Sequence, residues 1–345
     1  MAGLIAGTAL DPLITGSLLW LVTRGPEKVR ARIIERLAAS PFGVEGPKKI
    51  LKVLVVIGVI RRVNQILNNW SYRNWQVSYS GRPWIWRDEV AVVTGGSGGI
   101  ASAMTRKLAA TGMKIALLDL QAPPADIAAL SNVHFYHCNI TSSASVHEVA
   151  AAVRKDLGVP TILVNNAGTG APYTIIDIPD EALETTFHVN LMSHWYTVRE
   201  FLPGMIKARK GHVVTVASMA SYVGVAGMAD YCSTKAGALS FHETLTQEIR
   251  HRYNAPFIST TAVHPHWVKT AMTAPLESNI RKKGDGMMTA EYAGGEIAAA
   301  ILSKQGGHLI LPRSSIAMRL GTALRGMPSW INSAVNDGGK DIIRF

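Results

Sequence analysis

The chain has 345 residues, 48% of them hydrophobic and only 17% charged, a balance that can bury a full core and excludes a disordered chain. Its two cysteines, Cys138 and Cys232, argue against a disulfide framework and for a reducing, cytosol-facing environment. The formal charge of +11 is concentrated before residue 88, where 13 Lys and Arg face 4 Asp and Glu. A basic cluster beside apolar runs suits anionic lipid head groups. No basic reading helix or aromatic RNA platform accompanies it, which argues against a nucleic-acid partner.

The first third reads as a membrane appendage. Residues 12–23, PLITGSLLWLVT, are uncharged and apolar; extended back to residue 2, past the interruption of Asp11 and Pro12, the stretch is long enough to span a bilayer. A second apolar run, residues 50–60, covers only about 16 Å as a helix against a hydrocarbon core of about 30 Å. Lys48, Lys49 and Lys52 at its start and Arg61 and Arg62 at its end can snorkel, which favours insertion into one leaflet. Trp70, Tyr72, Trp75, Tyr79, Trp84 and Trp86 follow, either as interfacial aromatics or as a cap packed on the next domain. Arg24, Lys28, Arg30 and Arg32 come after the first run, not before it; that is unlike a signal peptide and keeps the remainder on the cytosolic side. Spanning and monotopic attachment both remain open, as does a pair of buried core helices.

From Glu89 onward, short β-branched runs (VAVVT, KIALLD, VHFYHCN, TILVNNAG, HVVTVAS, FISTTAVHP) alternate with alanine-rich helical stretches. This alternation predicts an α/β fold with a doubly wound parallel sheet of the Rossmann kind, behind an N-terminal membrane-associated helical segment. The expected organisation is residues 1–87 as the membrane segment, 88–312 as the Rossmann domain and 313–345 as an amphipathic tail. No break in composition suggests a second globular domain, and there is no internal repeat.

Thr94, Gly95, Gly96, Ser97, Gly98, Gly99 and Ile100 follow the first strand and open the first helix. In that context glycines let the backbone turn and approach a pyrophosphate, and the helix N-terminus offers free N–H groups to it. Asp119 ends the second strand, where its carboxylate can accept both adenosine ribose hydroxyls and repel a 2′-phosphate. Ser97, Gly98, Leu120 and Gln121 stand where a basic residue would bind that phosphate. NAD is therefore expected, with NADP as the alternative; the other reading of Asp119 is a strand-end turn cap.

Tyr231 and Lys235 are four apart on an expected helix and so share a face, although such a spacing arises by chance about once in 500 positions. Their company gives the pair weight. The ordered set Thr94-Gly95 with Gly99, Asp119, Asn165-Asn166-Ala167-Gly168, Asn190, Ser218, Tyr231 and Lys235 resembles the short-chain dehydrogenase/reductase family over roughly residues 88 to 312. The N-terminal apolar segments, Asp119 and HPHWVKTAM from His264 to Met272 resemble its membrane-bound retinol and 17β-hydroxysteroid dehydrogenase branch.

The resemblance implies catalysis by Asn190, Ser218, Tyr231 and Lys235. Tyr231 exchanges the proton of the substrate alcohol, its phenolate favoured by the Lys235 ammonium and a positive nicotinamide. Ser218 hydrogen-bonds the substrate oxygen, Asn190 holds a relay water, and Lys235 also binds the nicotinamide ribose. Asn139 and Ile140 flank the adenine, Asn166, Ala167 and Gly168 line the cofactor cleft, and Pro265, Val268 and Thr270 hold the nicotinamide amide. Three positions depart from the pattern: Ala101 for the third glycine, Asn139 for a common Asp, and His266 after Pro265 where glycine is frequent. His266 either lines the substrate cleft or is simply packed. The histidines form no metal-ligand cluster, and no metal is expected.

Residues 271–290, with Met272, Met287 and Met288, are expected to form a substrate lid or a surface loop. The tail, with Arg319 and Arg325, reads as a second membrane contact or a dimer flank. The leading expectation is hydride transfer between NAD(H) and a hydroxyl or carbonyl of a lipophilic substrate such as a sterol, retinoid or long-chain alcohol. It would operate as a homodimer at the endoplasmic reticulum membrane or lipid-droplet surface, catalytic domain toward the cytosol. Two alternatives stand beside it: an NADPH-dependent carbonyl reductase of terpenoid or polyketide biosynthesis, and a non-catalytic lipid-surface scaffold.

Overall fold

The computed structural model describes residues 10–39, 41 and 43–338, which divide into two compact units between Ser71 and Tyr72. In the first, Asp11 caps helix α1, Pro12–Thr23, by accepting the Leu13 N–H at 2.9 Å, and Pro12 opens it. Helix α2, Glu27–Ala38, is followed by α3, Glu45–Tyr72. The apolar run at 50–60 is thus the middle of a 28-residue helix, not a short helix of its own. The backward extension of the first run to residue 2 lies outside the described residues.

Among the described residues no helix is long and apolar enough to cross a membrane; in α3 the cations Lys48, Lys49, Lys52, Arg61 and Arg62 break the run. The exposed face of α3 does not match the buried-core alternative. Val53, Val56, Ile57, Ile60, Val63, Ile66 and Leu67 of α3 are exposed, and its one buried residue is Gly58. A Cβ at Gly58 would lie 2.8 Å from the Leu10 carbonyl oxygen, so glycine lets the start of α1 pass against α3.

The second unit is built on seven parallel strands: β1 Val90–Thr94, β2 Lys114–Asp119, β3 Val133–His137, β4 Ile162–Asn165, β5 Gly211–Val216, β6 Ile258–Pro265 and β7 Gly307–Leu311, in the order β3-β2-β1-β4-β5-β6-β7. Strand residues alternate between two cores, as pleating demands. Ala91 and Val93 pack with α4 (Gly99–Ala109) and α11 (Ala290–Leu302), whereas Val90 and Val92 pack with α6 (Ser143–Asp156), α8 (Ser193–Ala208) and α9 (Ala229–His251). The order reverses between β1 and β4, and a ligand crevice forms at the carboxyl ends of strands on either side of such a switch. Short helices α5 (Ala125–Ala128), α7 (Asp180–Phe187), α10 (Glu277–Lys282), α12 (Ile316–Gly321) and α13 (Ser329–Asp337) complete the unit.

The aromatic strip before β1 divides. Trp84 and Trp86 are packed against the core beside α4 and α11, while Trp75 and Tyr79 stay exposed. For Trp84 and Trp86 the interfacial reading is therefore corrected to the cap. Buried Glu89 fastens this segment: its carboxylate accepts the Ile85 N–H at 3.1 Å, the Thr161 hydroxyl at 2.7 Å and the Lys210 ammonium at 2.7 Å.

Helices α4 and α11 approach through Gly294. A Cβ there would sit 2.5 Å from the Ile100 carbonyl oxygen and 2.7 Å from the Met104 nitrogen, both backbone atoms. Gly294→Ala should therefore cost about 1–3 kcal/mol, read as a fall of several degrees in Tm. Gly326→Ala, which meets nothing within 4 Å, should leave Tm near that of the wild type.

Candidate active site

The loop between β1 and α4 is shaped by contacts that no side chain could share. Gly95 has φ +63°, and a Cβ on it would lie 2.7 Å from the Ala167 Cα; one on Gly96 would lie 2.7 Å from the Leu117 Cβ. Asp119, at the end of β2, accepts the Ser97 N–H at 2.9 Å and the Gln121 N–H at 3.1 Å on its two carboxylate oxygens. The Ser97 hydroxyl donates to the Gln121 carbonyl. Each Asp119 oxygen keeps a lone pair, so the side chain both fixes the loop and can still accept a hydroxyl.

The loop is also sewn to β4. The Thr94 hydroxyl accepts the Asn166 and Ala167 N–H groups at 3.0 and 3.1 Å, and the Asn166 side chain donates to the Thr94 and Gly95 carbonyls. Thr94 is 2% exposed and lies behind the cleft wall rather than in it. Its hydroxyl, expected to touch a cofactor, is engaged with the backbone after β4. Asn139 accepts from the N–H and hydroxyl of Thr141 and so also shapes the turn leading to α6.

Asn190 sits in a π-helical turn, His188–Met192, ahead of α8, an irregularity that often marks a functional position. Fully buried, it accepts the Thr169 N–H at 2.8 Å and donates to the Thr169 carbonyl at 2.8 Å and the Thr234 hydroxyl at 3.1 Å. Thr234 in turn donates to the Tyr231 carbonyl at 2.8 Å. Asn190 thus couples the loop after β4 to α9 from behind the wall. Thr169 and Thr234 were not singled out in the sequence, since threonine in a loop or helix carries no signal of its own.

On α9, the Lys235 ammonium is 5.6 Å from the centre of the Tyr231 ring and donates to the Val216 carbonyl at 2.9 Å. Ser218, just past β5, accepts the Ala220 N–H at 3.1 Å and donates to the Pro265 carbonyl at 3.5 Å. A Cβ on Gly168 would stand 3.5 Å from the Lys235 Nζ and 3.6 Å from the Asn190 Oδ1, so this glycine lies against both groups.

Apart from Thr94 and Asn190, the sequence-predicted residues (Gly95, Ser97, Gly99, Ile100, Asp119, Asn139, Ile140, Asn166, Ala167, Gly168, Ser218, Tyr231, Lys235, Pro265, Val268 and Thr270) line one cleft of about 1620 Å³. Its glycine-loop end is backbone-rich and polar. The other end is apolar, walled by Val225, Met228, Met272, Leu276 and, from the tail, Met318, Leu324, Met327 and Ile331. Residues 271–290 fold over this end, with α10 held by a bridge between Val268 and Met288. The Cβ-free loop, the N-terminus of α4 and the free lone pairs of Asp119 fit a dinucleotide. Among the described residues no group of three or more His, Cys, Asp or Glu could hold a metal ion.

Burial dominates the titration of the central pair. It raises the Tyr231 phenol above its ordinary value, with the Ser218 hydrogen bond pulling back, and lowers the Lys235 ammonium to about 8. The expected easing of the phenol by Lys235 does not figure among these influences in the chain by itself. A positive group placed against the phenol would act in the lowering direction. His194, beside Lys235, is lowered to about 3 by burial first and by the Lys235 charge second, so it stays neutral.

Because the folded Lys235 pKa lies below its unfolded value, the unfolded chain binds more protons between pH 8 and 10.5 and stability rises with pH through that window. Lys235→Met removes a penalty that is fully present below pH 8 and loses one hydrogen bond. It should raise stability at pH 7 by roughly 1–2 kcal/mol. Thermal melts at pH 7 and pH 10 should show the advantage shrinking at the higher pH, and turnover should be lost.

The sequence profile of the short chain dehydrogenase family matches residues 89–281. The bovine (Bos taurus) protein named short-chain dehydrogenase/reductase family 16C member 6 is 34% identical over 234 residues, covering 66% of this chain and 73% of its own. Mouse (Mus musculus) epidermal retinol dehydrogenase 2 is 32% identical over 224 residues, covering 63% and 72%. In fold, a short-chain dehydrogenase/reductase from Burkholderia phymatum, solved in complex with NAD, superposes with TM-score 0.63 at 23% identity over 71% of this chain and 95% of that one. The chain belongs to the short-chain dehydrogenase family and is an oxidoreductase acting on CH–OH groups.

Proposed function

We propose that the chain is an NAD-dependent dehydrogenase that exchanges a hydride with a hydroxyl or carbonyl on a lipophilic molecule at a membrane or lipid-droplet surface. One observation carries the reading: Tyr231, Lys235 and Ser218 stand where the polar, glycine-lined half of a single cleft meets its apolar half. The bovine and mouse relatives, one of them named a retinol dehydrogenase, support a lipophilic alcohol as substrate. Asp119 and the absence of a basic residue at Ser97, Gly98, Leu120 or Gln121 support NAD over NADP.

Gly95, Ser97, Gly99 and Ile100 would hold the pyrophosphate, Asp119 the adenosine ribose, Asn139 and Ile140 the adenine, and Asn166, Ala167, Gly168, Pro265, Val268 and Thr270 the nicotinamide half. When bound, the oxidised cofactor supplies the hydride acceptor and a positive charge. Ser218 then donates to the substrate oxygen, and Tyr231, its phenolate favoured by both cations, takes the hydroxyl proton; in reduction it returns it. Lys235 also binds the nicotinamide ribose. Asn190 positions Thr169 and α9, and a relay water would sit on its remaining lone pair.

The exposed apolar residues of α3 with their flanking cations support lipid attachment by residues 1–87, with 88–312 as the catalytic domain and 313–345 as a second lipid contact. The catalytic domain then faces the cytosol from the endoplasmic reticulum membrane or lipid droplet and functions as a homodimer. In fluorescence titrations of the detergent-solubilised full chain, NADH should bind at least about tenfold more tightly than NADPH, and Asp119→Ala should erase the difference. Tyr231→Phe should keep NADH binding and lower kcat/KM on long-chain alcohols by about 10²–10⁴-fold. A preference for NADPH would instead favour the biosynthetic reductase, and absence of any binding the scaffold.

A further inference from the structure

One polar corner interrupts the apolar half of the cleft. His266, Lys283 and Asp285 all line it, and none of their side chains makes a hydrogen bond or ion pair among the described residues. The adjoining Trp267, 5.9 Å from the His266 ring between centroids, has a buried indole N–H that is also unpartnered among the described residues. Lys283 is exposed and His266 and Asp285 are half-buried, so water reaches this corner and a ligand oxygen there would take the place of water.

Its position is built. The Met288 N–H donates to the Trp267 carbonyl at 2.9 Å and the Lys269 N–H to the Met288 carbonyl at 2.9 Å. The Asp285 N–H closes back on the Ile280 carbonyl at 3.2 Å, and the His266 N–H is tied to the Leu311 carbonyl at 3.0 Å. The segment carrying Lys283 and Asp285 is therefore laced to the strand end carrying His266.

The charges decide what fits. Asp285 and Lys283 act on His266 in opposite directions, and burial lowers the imidazole below its ordinary value. At neutral pH it is uncharged, one ring nitrogen donating and the other accepting. A full anion or cation would meet one charge of the wrong sign, whereas a neutral oxygen group meets both a donor and an acceptor.

From this geometry we infer that His266, flanked by Asp285 and Lys283, binds a second neutral oxygen function of the substrate, a hydroxyl or carbonyl away from the reacting carbon. The substrate is then a bifunctional lipophilic alcohol rather than a simple one. This rests on the dehydrogenase reading above and narrows its substrate class.

The test compares a homologous series of diols of increasing spacing, each beside its mono-alcohol, with NAD and the full-length wild type, His266→Leu and Asp285→Asn. The wild type should favour at least one diol by about tenfold or more in kcat/KM. His266→Leu should remove that preference while leaving the mono-alcohol within about threefold and NADH binding unchanged. Asp285→Asn should weaken the preference in the same direction. Thermal melts establish that each variant is folded, and Lys283→Met replaces any that is not.

Equal losses on diols and mono-alcohols, or weakened NADH binding in His266→Leu, would assign His266 to the cofactor and overturn the inference. A wild type that turns over diols and mono-alcohols equally overturns this inference alone. One that binds NADH and oxidises neither overturns the lipophilic-alcohol reading and this inference with it.

Discussion

The site depends on keeping one ammonium out of water. Lys235 is 3% exposed, and among the described residues its Nζ donates to one protein acceptor, the Val216 carbonyl. That cost places a positive charge beside the Tyr231 ring, and a surface lysine, screened by solvent, could not exert the same effect. Around it the backbone is secured: the Ser221 hydroxyl donates to the Lys235 carbonyl at 2.8 Å, and Asn190 and Thr234 hold the turn of α9 that carries Tyr231.

The sheet makes that arrangement reachable. Because β1 and β4 diverge into connections on opposite sides, their carboxyl ends open a crevice, and Thr94 and Asn166 lace its two edges together. Asp119 then serves the loop twice, as acceptor for its backbone and as the carboxylate presented to a ribose. The apolar half is assembled from segments far apart in sequence: the stretch after β5, residues 267–288 after β6, and the tail after β7. The polar half is local and the apolar half is not, so one fold can hold its chemistry constant while the substrate wall varies.

That difference governs what could be read in advance. Strand runs, the glycine loop, Asp119 and the Tyr231–Lys235 pair are local patterns with a fixed meaning, and their elements stand where the alternation placed them. Thr94 and Asn190 were legible as candidates that sit near the cleft. Which side of the wall each occupies was not, because it depends on hydrogen-bond partners some 20 to 70 positions away. The Trp84 and Trp86 strip carried an interfacial signal that Glu89 and the α4–α11 core override through long-range packing. The true extent of α3 was hidden by the same charged residues that break its hydropathy. The raised phenol is also beyond sequence, since the helical spacing shows a neighbouring cation but not how deeply both groups are buried.

In the proposed reaction, burial favours the protonated Tyr231 phenol and the positive charge of the oxidised cofactor beside Lys235 would release it as a base. The most direct measurement is an ultraviolet difference titration of tyrosinate in the full chain with and without NAD⁺, for the wild type and Tyr231→Phe. The account predicts one phenol whose titration moves to lower pH when NAD⁺ is present and that is missing from Tyr231→Phe. Identical wild-type curves with and without NAD⁺ would contradict it.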